Sequence, residues 1–281
     1  MIVVTGATGN IGQTLVPLLA GAGEEVVAVS RQPRPGTLPA GVRHARADVG
    51  DAAGMRTVLD GAEALFLLLG GELNAHGESP RALLDVAEAA GVKRVVLVSS
   101  QINSTRPEAP SHARLRAFEA AVRASALDST VLRPAGFASN AFAWAESVRT
   151  RRTVFAPFGD VALPVVDPAD IAAVAAAALR EDGHAGRTYV LTGPEAISPR
   201  GQAAVLSGAL GEEVAFVELS REEAHAHMAA FMPEEAIAGT LDVLGAPLPA
   251  ERLPAPDVER ILGRPAASFA DWAARALPAF R

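Results

Sequence analysis

The chain has 281 residues, no cysteine, and 25 basic against 32 acidic side chains, a formal net charge of −7. Disulfides, thiolate nucleophiles and cysteine-ligated metals are therefore excluded, and a cytoplasmic setting fits. The basic residues are dispersed, which argues against a nucleic-acid partner, and the longest apolar stretches, such as Ile171 to Leu179, are too short to cross a bilayer.

Met1 leads straight into an apolar strand, Ile2 to Thr5, with no charged segment and apolar run of a secretion signal before it. The strand ends in TGATGNIG, with glycines at Gly6, Gly9 and Gly12. Gly6 permits a sharp turn, Gly9 lets backbone approach a pyrophosphate, and Gly12 lets the next helix pack closely. Unpaired amides at the helix start, over Thr8, Asn10 and Ile11, then receive phosphate charge. Ile11, Leu15, Leu18 and Leu19 follow at helical spacing, and Glu25 to Ser30 is a second apolar strand. Strand, turn, helix and strand in this order predict a dinucleotide site.

Arg31 and Arg34 follow the second strand, where an acidic residue would favour an unphosphorylated ribose. A guanidinium there meets a 2′-phosphate, so NADP(H) is preferred over NAD(H). Val42 to Ala47 is a short strand ending at Asp48, whose side chain, or the amide of Val49, either contacts the adenine edge or caps the turn into a helix over Ala52 to Leu59. Ala64 to Leu69 is a strand, and Leu69, Gly70 and Gly71 let the chain pass close to the adenosine ribose and pyrophosphate. A helix over Arg81 to Ala90 and a strand over Arg94 to Val98 come next. Ser99, Ser100 and Gln101 end that strand, where the hydroxyls and amide either point at the nicotinamide and substrate or, for the serines, simply terminate the strand. Arg114 to Ala126 is a helix on which Arg116 either reaches a phosphate or carboxylate or forms a solvated face with Arg114 and Glu119, and Thr130 to Leu132 lies within a sixth strand.

Apolar strands alternating with amphipathic helices predict an α/β, doubly wound parallel-sheet Rossmann fold. Residues 1–134 form its dinucleotide-binding core. After Ala135 the pattern loosens into loops around a short strand. A helix begun or capped by Asp170 runs through Leu179, a strand covers Thr188 to Leu191, a helix Arg200 to Leu210 and a strand Val214 to Leu219. Three more helices follow near Glu222, Glu234 and Ser268, with a Pro-rich surface loop over 245–256. Residues 135–281 thus complete the sheet and add a small, mostly helical substrate lobe that is not an independent domain. Pro134 and the small residues after it approach the nicotinamide end. Phe137, Phe142 and Trp144 are candidates to line an apolar, ring-shaped pocket. No metal-binding pattern is present, since His225 and His227 lie on different helix faces.

The chain resembles the NmrA-like group of atypical short-chain dehydrogenase/reductases. The likeness rests on TGATGNIG, Arg31, ADVGD, VVLVSS at 95–100, VLRPAGFASNAF at 131–142, VDPADIA, YVLTGPEAIS at 189–198 and ILGRPAASFADWA at 261–273. It implies the Rossmann fold and NADP(H), and makes Asn140 a substrate-side contact. It also places Ser111 and Leu115 where ordinary members of the wider family carry a Tyr proton donor and its Lys, so His112 becomes the candidate acid. The reading that follows is an NADPH-dependent oxidoreductase passing hydride to a small apolar quinone-like or aromatic carbonyl compound, in a monomer or homodimer. Two alternatives are a non-catalytic NADP-binding redox sensor and an isomerase or lyase-like biosynthetic enzyme.

Overall fold

The computed structural model describes residues 1–32, 38–69, 77–230 and 232–281. The first half runs β1 (Ile2–Thr5), α1 (Gly12–Gly21), β2 (Val26–Ser30), β3 (Arg43–Arg46), α2 (Ala52–Leu59), β4 (Ala64–Leu68), α3 (Pro80–Ala89), β5 (Arg94–Val98), α4 (Ile102–Thr105), α5 (Ala113–Ala124) and β6 (Asp128–Pro134). The second half runs α6 (Ala145–Arg151), β7 (Thr153–Pro157), α7 (Pro168–Arg180), β8 (Thr188–Leu191), α8 (Pro199–Leu210), β9 (Ala215–Leu219), α9 (Arg221–Met228), α10 (Glu234–Gly245), α11 (Asp257–Leu262) and α12 (Phe269–Ala276).

Seven strands form one parallel sheet in the order β3-β2-β1-β4-β5-β6-β8. Strand residues alternate between its faces. Ile2, Val4, Phe66, Val96 and Leu132 pack against α1 and α7 on one side. Val3, Val27, Leu65, Leu67, Val95 and Leu97 pack with residues of α2, α3 and α5 on the other. The order reverses between β1 and β4, which opens a crevice at their carboxyl ends.

Residues after 135 complete this core, with β8 pairing with β6 and α7 burying Ile171, Val174 and Ala178 against the sheet. They also build the lobe. A parallel pair, β7 with β9, lies beside it. Ala138, Ala141, Val148, Val154, Leu206, Trp272 and Phe280 form its core, and α9 and α10 carry a smaller cluster around Ile237 and Leu241. The cap of α7 is Asp167, which accepts from the amide of Ala169 at 2.9 Å. Asp170, expected to cap or begin that helix, lies in its first turn. There its buried carboxylate accepts from Arg264 and from the amide of Ala267, both at 2.7 Å, tying the C-terminal segment to the sheet.

Candidate active site

The turn after β1 is shaped by three glycines with different tasks. Gly6 adopts φ +63°, the left-handed region that suits glycine. A Cβ on Gly12 would lie 2.3 Å from the Gly6 carbonyl oxygen and 2.6 Å from Cα of Ala7, so the helix start is pressed against the turn backbone. A Cβ on Gly9 would meet only that same oxygen, at 3.3 Å, and would otherwise project into open space. No side chain caps α1 and no acidic residue stands in its first turn. The amides of Gln13 and Thr14 bond the Gly9 and Ile11 carbonyls, both at 3.0 Å, whereas those of Asn10, Ile11 and Gly12 take no backbone partner among the described residues and are left for an anion. Thr5 fixes the turn from behind by donating to the Phe66 carbonyl at 3.0 Å and accepting from the Leu68 amide at 2.9 Å. Asn10 donates to Ser139 at 3.0 Å and so joins the turn to the chain after β6. A glycine cradle closed to a Cβ and an uncapped helix start fit a dinucleotide pyrophosphate.

At the ends of β2 and β3, Arg31 is exposed, and no carboxylate among the described residues pairs with it. Ser30 donates to the Gln32 carbonyl at 2.8 Å and contacts Nε2 of His44 at 2.8 Å, while Arg46 stands opposite Ser30 in the register. Arg31, His44 and Arg46 therefore cluster at this edge, the latter two unanticipated from sequence. Asp48 does not cap α2. Its carboxylate closes its own turn by accepting from the Gly50 amide at 2.8 Å, and the cap is Asp51, which accepts from Gly54 at 2.9 Å. Val49 packs at the edge of the core beneath, and Leu69 is buried. Arg34, Gly70 and Gly71 lie outside the described residues.

Beyond the ends of β5 and β6 the chain forms a cleft of about 940 Å³, lined by Ser100, Gln101, His112, Pro134, Phe137 and Asn140 together with residues of α10. Ser99 does not line it. Its hydroxyl donates to Glu119 at 2.6 Å and accepts from Asn103 at 2.9 Å in a buried network. Glu119, expected on a solvated helix face, is only 2% exposed and also accepts from Asn103 at 3.0 Å and from Nε and Nη2 of Arg133 at 3.0 and 2.5 Å. Burial pushes its carboxyl upward, but the bonds from Arg133, Ser99 and Asn103 and the charge of Arg133 outweigh that and hold it at about 2. The network clamps the end of β5 to β6, and the Gln101 amide then bonds the Pro134 carbonyl at 3.0 Å. The Gln101 side chain, 6% exposed, leaves its oxygen without a partner among the described residues.

Phe142 and Trp144 do not line the cleft. Residues 138–144 form a 3-10 helix, in which positions three apart share a face. Phe137 and Asn140 therefore face the cleft. Ala138, Ala141 and Trp144 face the lobe core, while Phe142 packs against Trp272 and Phe280 at ring separations of 5.1 and 6.0 Å.

His112 starts α5 without capping it, and its Nδ1 contacts the Ser111 hydroxyl at 3.0 Å. Burial first, and the charge of Arg116 second, lower its pKa, so the imidazole is neutral at pH 7. Arg116 bonds the Ala109 carbonyl at 2.8 Å and holds the loop before α5. Gly239 of α10 comes so close that a Cβ there would lie 2.9 Å from the Ser111 hydroxyl, which lets the lobe close over this end. The chain's single tyrosine, Tyr189, is buried in β8 against His184, level with Val98 through Leu132. The single lysine, Lys93, precedes the far end of β5. Neither lines the cleft. Sequence reasoning missed the lobe's contribution, Glu235, Gly239, Asp242 and Glu251, and the facing Arg106. These residues come from segments more than a hundred positions apart, and no local pattern marks them.

Residues 6–182 match the NAD(P)H-binding family. Over its full length the chain is 38% identical to the (4-alkanoyl-5-oxo-2,5-dihydrofuran-3-yl)methyl phosphate reductase of Streptomyces griseus, covering 99% of that protein. It is 32% identical to the NAD(P)H azoreductase of Xenophilus azovorans, again over 100% of this chain and 99% of the relative. Among solved structures, the NADPH-dependent quinone oxidoreductase of Escherichia coli in complex with NADPH is similar with a TM-score of 0.80 and 26% identity, covering 98% of this chain and 99% of that one.

Proposed function

The chain belongs to the NAD(P)H-binding family and is an oxidoreductase that uses NADPH; from that premise we propose that its acceptor is a small, electron-poor conjugated compound, a quinone or an unsaturated carbonyl. Within the family we assign it to the NmrA-like group, on TGATGNIG, Arg31 and VLRPAGFASNAF. The observation that carries the reading is the open cleft beyond the ends of β5 and β6, walled by Phe137, Pro134 and Leu163. A pure sensor needs no such space beside the nicotinamide end.

Bound NADPH supplies the hydride, and the overall two-electron reduction takes up one proton. The turn from Gly6 to Gly12 holds the pyrophosphate, and Arg31 with Arg46 and His44 receives the 2′-phosphate. Ser100, Gln101 and Pro134 border the nicotinamide end, and Gln101, Phe137 and Asn140 orient the acceptor. An isolated ketone needs a strong proton donor as its alkoxide forms, and no Tyr and Lys pair stands in this cleft. A conjugated acceptor spreads the developing charge and is less demanding. The names of three relatives are consistent with this, since a dihydrofuranone bearing a 4-alkanoyl group, an azo compound and a quinone all carry conjugated acceptors. The protonated fraction of His112, small at pH 7 and growing toward acid pH, delivers the proton where the product needs one at carbon.

Stopped-flow oxidation of bound NADPH under anaerobic conditions tests the reading. Quinones and unsaturated lactones are expected to react at least about 100-fold faster than saturated ketones of the same size. For the lactone, His112→Gln should lower the rate by about 100-fold and flatten its rise toward acid pH. Equal rates with saturated ketones would remove the conjugation argument.

A further inference from the structure

The charges around the cleft bear on which acceptors it takes, an inference that rests on the reductase reading. Among the described residues, one guanidinium, Arg106, stands there against four carboxylates, Glu108, Glu235, Asp242 and Glu251. Arg106 is already matched. Its Nε and Nη2 donate to the two oxygens of Glu251 at 2.8 and 2.9 Å, and Nη2 also reaches the Ala246 carbonyl at 2.9 Å. Glu251 is fully buried and further accepts from Thr105 and from the Leu248 amide, both at 2.8 Å. Burial pushes its carboxyl upward, but these donors hold it below the ordinary range, so the pair is ionised and neutral overall. Asp242 pairs with Arg221 at 2.6 Å. Glu108 and Glu235 are exposed and enter no ion pair among the described residues. His112 is neutral at pH 7.

A phosphate or sulfonate entering this space meets, among the described residues, no unmatched cation and at least two carboxylates. A carbonyl oxygen fares differently. The third nitrogen of Arg106, Nη1, takes no partner among the described residues, and the side chain, which lines the cleft, is 23% exposed. A guanidinium held rigidly by a carboxylate presents a fixed N–H donor without net charge. We propose that the cleft selects uncharged conjugated carbonyl acceptors over their phosphorylated or sulfonated counterparts, with Nη1 of Arg106 donating to the acceptor's carbonyl oxygen. On this point the chain parts from the Streptomyces griseus relative, whose name is that of a phosphate-ester reductase.

The test uses matched pairs with the full chain and NADPH: a naphthoquinone and its ring sulfonate, and a hydroxymethyl butenolide and its phosphate ester. At low salt, kcat/KM is expected to favour the uncharged member by at least about 10-fold, and the preference should shrink as salt rises. A salt-independent preference marks steric exclusion and overturns the proposal, as does equal or better use of the anion. The double substitution Glu108→Gln with Glu235→Gln, at exposed positions, should bring the ratio within each pair toward one; an unmoved ratio overturns it. Arg106→Lys should raise KM more for the naphthoquinone than for an azo dye lacking a carbonyl, and an equal rise overturns the donor assignment. If no compound oxidises NADPH, the reductase reading fails separately. Calorimetry with the NADP⁺ complex then decides the charge inference: tighter binding of the uncharged members upholds it, and equal, weaker or absent binding overturns it.

Discussion

Glu119 joins stability to the site, because its carboxylate is buried yet ionised. Its level of about 2 in the fold, against 4.5 in the unfolded chain, corresponds to about 3 kcal/mol of stability. The folded value is depressed, so this contribution is complete above pH 4.5 and is lost as pH falls through about 2. Denaturant titrations between pH 6 and pH 2 should show wild type shedding about 3 kcal/mol more than Glu119→Gln over that range. At neutral pH the variant should be less stable by about 3 kcal/mol, since Arg133 then keeps a buried charge without its partner. A variant whose stability follows pH as steeply as wild type would show that other carboxylates carry the acid limb. The role of Glu119 was not legible in the sequence, where Arg114, Arg116 and Glu119 resemble a solvated stripe. Its meaning comes from Arg133, which only the pairing of β5 with β6 brings alongside.

At the scale of elements, the turn between β1 and α1 separates two demands that the three glycines mix together in sequence. Gly12→Ala places a Cβ on the turn's own backbone, 2.3 Å from the Gly6 oxygen, so it should cost about 2 kcal/mol of stability as well as cofactor affinity. Gly9→Ala has room in the protein alone and should change stability by less than about 1 kcal/mol, yet weaken NADPH binding at least about 10-fold by filling the phosphate's space. Thermal melts and fluorescence titration of both variants, with and without NADPH, separate the effects. Equal melting losses would mean that Gly9 also serves the fold. Helices with an amphipathic period were legible to within about one residue of their ends: Ala52–Leu59 lies where expected, and Pro80–Ala89 and Pro199–Leu210 begin one residue before the expected Arg81 and Arg200. The short α6 and α11 and the 3-10 helix over 138–144 have no comparable signals. Misplacing Phe142 and Trp144 follows from that, because the period of three turns Phe137 and Asn140 to the cleft and both of these rings away from it.

For the whole molecule, the question is whether the lobe is a separable part. Three buried carboxylates bind it to the sheet: Asp167 pairs with Arg275, Asp170 with Arg264, and Glu251 with Arg106. More decisively, β8 covers the edge of β6, and α7 buries nine of its residues, several of them against the strands of the first half. A fragment ending at Pro134 would expose that edge and half of one sheet face. The loss exceeds what a domain of marginal stability tolerates. The full chain should therefore unfold in one transition, with the lobe's Trp144 and Trp272 fluorescence coinciding with far-ultraviolet circular dichroism across a urea titration. The fragment 1–134 should lack a cooperative transition. Tryptophan signals that melt before the sheet would instead identify the lobe as an independent unit docked on a self-sufficient core. The cleft would then open by local unfolding, and NADPH, bound mainly by the first half, would raise the midpoint of the sheet while leaving that of the lobe in place.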